Sequence, residues 1–225
     1  MAEQRGLKVR VRTARRRRPS STRWLERQLN DPYVREARRR GYRSRAAFKL
    51  KEIDKRFALL RPGQCVVDLG AAPGGWSQVA AAAVAAGEGR GRVIAVDVLA
   101  MDAIPGVEML RLDFMDDAAP ERLRRHLAGK PVDLVLSDMA ASATGHRRTD
   151  HLKIMALLDA AFDFAVEVLA PGGTFLGKVL QGGTEADLLA RMKRCFGEVR
   201  HVKPKSSRAD SAELYVLATG FRKAD

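Results

Sequence analysis

The chain has little of the side chains that staple or metallate small proteins: 2 cysteines and 4 histidines in 225 residues. Cys65 and Cys195 lie far apart in sequence and stand in no C-x-x-C or Cys/His cluster. That excludes a disulfide scaffold, gives no metal site, and suits a reducing compartment. A cytoplasmic location is therefore expected. No apolar run approaches the roughly 20 residues that span a bilayer, so no membrane association is expected. No hydrophobic stretch follows the N-terminal arginines, which argues against export, and those arginines lack the amphipathic face of a transit peptide. No internal repeat is present, and the dinucleotide fingerprint G-x-G-x-x-G is missing.

Acidic residues are scarce in one place only. Residues 1–61 carry 21 Lys/Arg against 6 Asp/Glu, whereas residues 62–225 carry 20 against 21. The net charge of +14 is thus all contributed by the first quarter of the chain. A basic extension on a near-neutral domain is the electrostatic footprint of a polyanion binder. Arg15 to Arg18 form an uninterrupted run, and Met1 to Ser21 hold few apolar residues. Residues 1–23 are therefore expected to be a basic, disordered extension. Residues 24–61 read as a helical segment facing that polyanion, and residues 62–225 as the main domain.

The most restricted stretch is Val66-Val67-Asp68-Leu69-Gly70-Ala71-Ala72-Pro73-Gly74-Gly75-Trp76-Ser77. It reads as a buried strand, a turn of small residues and the start of a helix over about Trp76 to Ala86. A turn this free of side chains lets a ligand approach the backbone, and the helix N-terminus presents its amides. Gly70, Gly74 and Gly75 after Asp68 resemble motif I of S-adenosylmethionine (SAM) methyltransferases. A ribose in such a site needs a carboxylate at the end of the next strand. Arg92 to Asp97 supplies that strand and Asp97 the carboxylate; the following strand, Glu108 to Phe114, brings Asp113 to where an adenine amino group would sit.

Further on, helices are expected at Pro120 to Leu127, His151 to Leu169 and Glu185 to Phe196. Strands are expected at Val132 to Asp138, Thr174 to Leu180, Glu198 to Val202 and Glu213 to Thr219, with Ala170 to Gly173 stopping a helix. Ahead of them, Trp24 to Arg40 reads as helix interrupted at Asp31-Pro32, and Ser44 to Ile53 as a helix with Ala47, Leu50 and Ile53 near one face. Alternating strands and helices imply an α/β, Rossmann-like fold: a largely parallel, doubly wound sheet with an antiparallel strand near the C-terminus. Asp68, Asp97, Asp113, Asp138 and Lys178 all fall at or near the carboxyl ends of strands, where ligands bind in such sheets.

Asp138 follows its strand as Ser137-Asp138-Met139-Ala140, not as the Asn/Asp-Pro-Pro-aromatic motif that grips a planar nitrogen. Lys178 lies in an apolar strand, where a charge is costly without a partner or a task. With Lys49 in Ser44-Arg45-Ala46-Ala47-Phe48-Lys49-Leu50, and Ser206-Ser207-Arg208 leading to Glu213, these pieces resemble the FtsJ (RrmJ, RlmE) family of ribosomal RNA ribose 2'-O-methyltransferases. The resemblance covers roughly Leu25 to Phe221. It departs from the usual pattern at Ala141-Ser142, where a Pro-Asn pair is common. It implies a Lys49, Asp138, Lys178, Glu213 catalytic tetrad and SAM contacts from Gly74, Trp76, Asp97, Asp113 and Asp138. It further implies a uridine in the A loop of 23S ribosomal RNA, within the large subunit, as substrate. A monomer is expected. Lysine serves as a base when burial or a neighbouring cation lowers its pKa, so Lys178 is expected to be the base, with Lys49 lowering its pKa. A protein that keeps this fold and binds RNA without catalysis is the competing class, as is a methyltransferase acting on another RNA.

Overall fold

A computed structural model of the chain describes residues 9–11, 13, 19–141, 144–181 and 186–222. Most of the extension expected over residues 1–23 lies outside them. The described part is built on a seven-stranded sheet of order β3-β2-β1-β4-β5-β7-β6. The strands are β1 (Cys65–Leu69), β2 (Arg92–Asp97), β3 (Val107–Arg111), β4 (Val132–Ser137), β5 (Leu169–Leu180), β6 (Phe196–Val202) and β7 (Glu213–Phe221). The first five run parallel, and β7 lies antiparallel between β5 and β6. The α/β, largely parallel architecture with a reversed C-terminal strand is as the sequence pattern implies.

Alternation along the strands builds two cores. Val67 and Leu69 face one side of the sheet with Ile94, Val96, Phe162 and Phe175. Helices α5 (Ala119–Leu127), α6 (Arg147–Val168) and α7 (Ala186–Cys195) cover that face. Val66 faces the other side with Val93, Leu134, Leu136 and Leu176, under α3 (Ala46–Phe57) and α4 (Gly75–Val84). The face expected on α3 is the one it buries: Ala47, Leu50 and Ile53 are each at most 1% exposed. Full burial of a leucine such as Leu50 is worth roughly 1.5–3 kcal/mol, so α3 is anchored firmly enough to hold a charged residue in place.

Two short helices precede α3: α1 (Pro19–Asn30) and α2 (Pro32–Arg39). The break at Asp31-Pro32 has a local cause. Asp31 is the N-cap of α2, its side chain accepting from the Tyr33 amide at 3.0 Å, and Pro32 occupies the first turn, where its missing N–H costs nothing.

Several boundaries differ from the sequence reading: α1 begins at Pro19, within the stretch expected as a disordered extension, α3 runs on to Phe57, β3 ends at Arg111 short of Asp113, and β7 runs on to Phe221. Helix α6 begins at Arg147 rather than His151. The Ala170 to Gly173 stretch ends α6 as expected but belongs to β5, where the register with β4 jumps from Val132↔Leu169 to Leu134↔Thr174. Gly172, at φ +79°, turns through this bulge where a side-chain-bearing residue would be strained. Among the described residues no helix is long and apolar enough to cross a membrane.

Candidate active site

A cavity of about 590 Å³ opens at the carboxyl ends of β1 to β4. Its walls are apolar at Val98, Leu99, Leu112, Phe114 and Met115, with carboxylates at Asp97, Asp113 and Asp138. Asp97 is held by two amides: Oδ2 accepts from Ala72 N at 2.9 Å and Oδ1 from Leu99 N at 2.8 Å. Asp113 is exposed and accepts from Met115 N at 3.0 Å. Gly70 also lines the cavity, at φ +75°; a Cβ there would come within 2.7 Å of the Met139 Cα, so the turn can close only on glycine.

Three of the five residues expected to hold the cofactor, Asp97, Asp113 and Asp138, line this cavity. Gly74 and Trp76 do not. Gly74 is the N-cap of α4, where a Cβ would meet Ile104 Cδ1 at 2.7 Å. Trp76 is 2% exposed; its indole donates to Ala46 O at 2.8 Å and its ring lies 5.4 Å from that of Tyr215.

Asp68, at the end of β1, is fully buried. Its Oδ2 accepts from Ser77 Oγ at 2.6 Å, while its Oδ1 has no hydrogen-bond partner. Burial raises its pKa to about 7, against the lowering effect of the Ser77 hydrogen bond; the neighbouring Asp138 and Asp97 carboxylates add to the rise.

Beyond Asp138 the site becomes a linked set of ion pairs. Lys178 Nζ lies 2.8 Å from Asp138 Oδ1 and donates to the Asp138 carbonyl, also at 2.8 Å. Lys49 Nζ lies 2.5 Å from Glu213 Oε1 and donates to the Tyr215 hydroxyl at 3.2 Å. That hydroxyl donates to Asp138 Oδ1 at 2.8 Å, with Glu213 Oε1 3.3 Å away. Ser207 Oγ donates to the same Glu213 oxygen at 3.2 Å. The four residues expected as a tetrad therefore meet as two ion pairs, Lys49–Glu213 and Lys178–Asp138, bridged by one tyrosine.

The sheet explains the meeting. Lys178 on β5 is paired with Tyr215 on β7, and Glu213 lies two residues before Tyr215, on the same face. Lys49 arrives from α3, and Asp138 follows β4.

The charge balance differs from expectation at Lys178. Burial alone would lower its pKa, but the Asp138 and Glu213 carboxylates outweigh burial and raise it. Lys49 is engaged by Glu213 and does not set the direction. At Asp138, burial would raise the pKa, but the Lys178 and Lys49 charges prevail and lower it. Burial, with Asp138 and Glu213 nearby, lifts Tyr215 well above its ordinary value, so it remains a donor.

The sequence profile of the FtsJ-like methyltransferase family matches residues 42–221. The chain belongs to the FtsJ-like methyltransferase family. It is 62% identical to ribosomal RNA large subunit methyltransferase E of Azorhizobium caulinodans over 218 residues, covering 97% of this chain and 90% of that one. It is likewise 62% identical to the enzyme of that name from Parvibaculum lavamentivorans, with 97% and 88% covered. A Plasmodium falciparum structure described as that of a ribosomal RNA methyltransferase superposes with a TM-score of 0.71 at 29% identity, covering 81% of this chain and all of that one. For this family SAM is the methyl donor, and the cavity suits it. Apolar walls can sandwich a base, carboxylates can take ribose and amino groups, and Gly70 keeps a Cβ out of the turn.

Sequence reasoning missed Tyr215. Among the chain's 3 tyrosines it is the one in an apolar closing strand, two residues after Glu213, and a buried Tyr in such a run needs a partner for its hydroxyl. Also missed was the anchoring of the loop after β6. Asp31, the cap of α2, pairs with both Arg45 and Arg208, and Ser206 N donates to Glu52 at 3.0 Å. That loop carries Ser207 and leads into Glu213, the first residue of β7. The Arg208–Asp31 and Ser206–Glu52 contacts join residues more than 150 positions apart and leave no local pattern.

Proposed function

We propose that this protein transfers a methyl group from SAM to the ribose 2'-hydroxyl of a uridine in the A loop of 23S ribosomal RNA, within the large ribosomal subunit. The observation that carries the reading is the meeting of Lys178, Asp138, Tyr215, Glu213 and Lys49 at the edge of a cavity walled by Asp97 and Asp113. Bound SAM supplies an electrophilic methyl group on a positively charged sulfur.

The protein's own groups then have three tasks. Asp97 and Asp113 orient the nucleoside end of the cofactor, and Asp138 marks the boundary between cofactor and substrate. Glu213, steadied by Lys49 and Ser207, accepts a hydrogen bond from the incoming sugar. Lys178 takes the proton of the 2'-hydroxyl once it is itself neutral. Asp138 borders the cavity, so a cation bound there shares its carboxylate and loosens its hold on the Lys178 proton. Positioning the hydroxyl in line with the methyl group contributes the larger part of the rate.

The basic segment 1–61 would face the RNA, with phosphate contacts giving affinity and the catalytic end giving choice of nucleotide. A cytoplasmic monomer acting on ribosomal particles fits this reading. The deciding experiment is methyl transfer from labelled SAM to large subunits from cells lacking the enzyme, followed by mapping of the modified nucleotide. Label on a base, or none, would overturn it.

A further inference from the structure

Arg43 belongs to neither the tetrad nor the lining of the cofactor cavity, yet it joins both loops of the cavity's rim. Its Nη1 donates to Asp102 O at 2.6 Å and reaches Pro73 O at 3.5 Å, and its Nη2 donates to Ala103 O at 2.7 Å. Pro73 sits in the turn after β1. Asp102 and Ala103 end the irregular loop that begins with Val98 and Leu99, two cavity-lining residues that are 47% and 65% exposed. The Arg43 stem passes over the turn: a Cβ on Gly74 would lie 3.1 Å from Arg43 Cδ. Its own backbone is fixed to α4, because Gln78 Oε1 accepts from Arg43 N at 2.8 Å and Gln78 Nε2 donates to Gly41 O at 3.0 Å.

No carboxylate pairs with Arg43 among the described residues; its acceptors are main-chain carbonyls. The value of a guanidinium there is its planar fork of donors, which spans acceptors from separate loops as one ammonium cannot. Among the described residues the 98–104 loop has few other ties: Leu99 N to Asp97 Oδ1 and Arg111 Nε to Val98 O, both at its start, and Val107 N to Ile104 O at its far end. A loop with so little of its own structure depends on such a clasp to keep its shape.

We propose that Arg43 is a positioning residue for cofactor binding. It holds the 98–104 loop against the turn at Pro73, so that the cavity is formed before SAM arrives, and it touches neither cofactor nor RNA. The proposal rests on the SAM reading above. Its place six residues before Lys49 ties the rim to the same segment that carries part of the tetrad.

The test uses the full chain as wild type, Arg43→Gln and Arg43→Lys. Calorimetry with SAM, filter binding with ribosomal RNA, turnover at saturating SAM, and hydrogen exchange of the 98–104 amides are measured for each. Arg43→Gln is expected to weaken SAM at least tenfold and to speed exchange of the loop amides in the free protein. RNA affinity should stay within twofold, and turnover at saturating SAM within threefold. Arg43→Lys, which keeps the charge and the stem and guards against a variant that fails to fold, is expected to recover little of the SAM affinity. Unchanged SAM affinity in both variants, with the wild type binding normally, would overturn the proposal. So would a loss confined to RNA affinity, which would make Arg43 an RNA-binding residue, or an equal loss in folding stability with both affinities intact. Failure of the wild type to bind SAM would overturn the cofactor reading itself, and the proposal with it.

Discussion

Lys178 and Tyr215 meet on a single oxygen: each lies 2.8 Å from Asp138 Oδ1, from paired positions on β5 and β7. That oxygen joins the two ion pairs into one network. Lys178 and Lys49 are balanced by Asp138 and Glu213, so the buried cluster carries little net charge at rest. This satisfies the requirement that buried charges be paired. It also keeps Lys178 protonated until something competes for Asp138.

Lys178→Ala is expected to lower turnover by on the order of 10²-fold or more, the usual scale for removal of a general base, while SAM affinity stays within a few-fold. Lys178→Arg should fail as well, because arginine keeps its proton. Wild-type turnover should rise from neutral to alkaline pH, since the raised pKa leaves little neutral lysine at pH 7. The ion pair also has a stability signature. The Lys178 contribution is present below its unfolded pKa and is lost as pH rises through its raised folded pKa. The Asp138 contribution is present above its unfolded pKa and is lost as pH falls through its lowered folded pKa. Their joint support should therefore be flat across neutrality. Turnover and chemical unfolding followed against pH check both statements; a rate independent of pH above 7 would count against Lys178 as base.

Tyr215→Phe keeps the ring against Trp76 and removes the hydroxyl that bridges the pairs. Asp138 then loses a buried donor and Lys49 an acceptor, at a cost of about 1–3 kcal/mol. A lower Tm together with reduced turnover is expected, read by calorimetry and methyl transfer. An unchanged rate would make the tyrosine a structural support alone.

Asp97→Ala removes the carboxylate that joins the turn at Ala72 to the loop at Leu99. SAM affinity should fall by about 1–3 kcal/mol when a charged hydrogen-bonding group is removed, with RNA affinity unchanged. Titration calorimetry decides, and equal SAM affinity would remove Asp97 from the cofactor site.

Asp68 offers a test by pH alone. Its pKa of about 7 in the fold stands far above that of an unfolded aspartate, near 3.9. Between those values the folded chain binds more protons than the unfolded one, so this group makes stability fall as pH rises through that window. The contribution is full below the unfolded pKa and is lost by the time pH passes 7. Asp68→Asn should flatten that slope while keeping the hydrogen bond to Ser77. Urea unfolding of both proteins from pH 5 to pH 8 compares the slopes; identical slopes would mean that Asp68 ionises freely in the fold.

The parallel sheet was legible because most of its strands carry a short apolar run ending in a polar or glycine-containing turn, as in Val132 to Asp138. The bulge at Gly172 was not, because the same Pro-Gly-Gly signal that stops a helix also permits a kinked strand. Asp97, Asp113 and Asp138 were legible as site residues because strand ends point into one crevice. The resemblance implies a cofactor contact at Trp76; its side chain packs in the core against Tyr215, a packing the sequence did not show because it depends on a strand 139 positions away. The pairing of Lys49 with Glu213 depends on long-range geometry in the same way. Sequence shows two lysines and two acids but not which partners which, and that choice reverses the expected pKa direction at Lys178.

The N-terminal extension makes the last prediction. Residues 1–18 hold 8 Lys/Arg and one acidic residue. Where the structure describes this stretch, Val9 exchanges two hydrogen bonds with the Asn30 side chain, at 2.8 and 2.9 Å, so the extension is tied to the end of α1. Val9 therefore lies at the junction with α2, whose exposed arginines continue the same charge. Contacts from such a segment fall on phosphates and carry affinity without sequence information. Deleting residues 1–18 should leave SAM affinity and the modified nucleotide unchanged and should weaken RNA binding. The slope of log affinity against log salt should become shallower by roughly 0.7–0.9 for each phosphate that is no longer neutralised. Filter binding across a salt series, on full-length and shortened proteins, measures this directly. Equal slopes would show that the extension does not touch RNA, and a shifted methylation site would show that it reads the substrate rather than merely holding it.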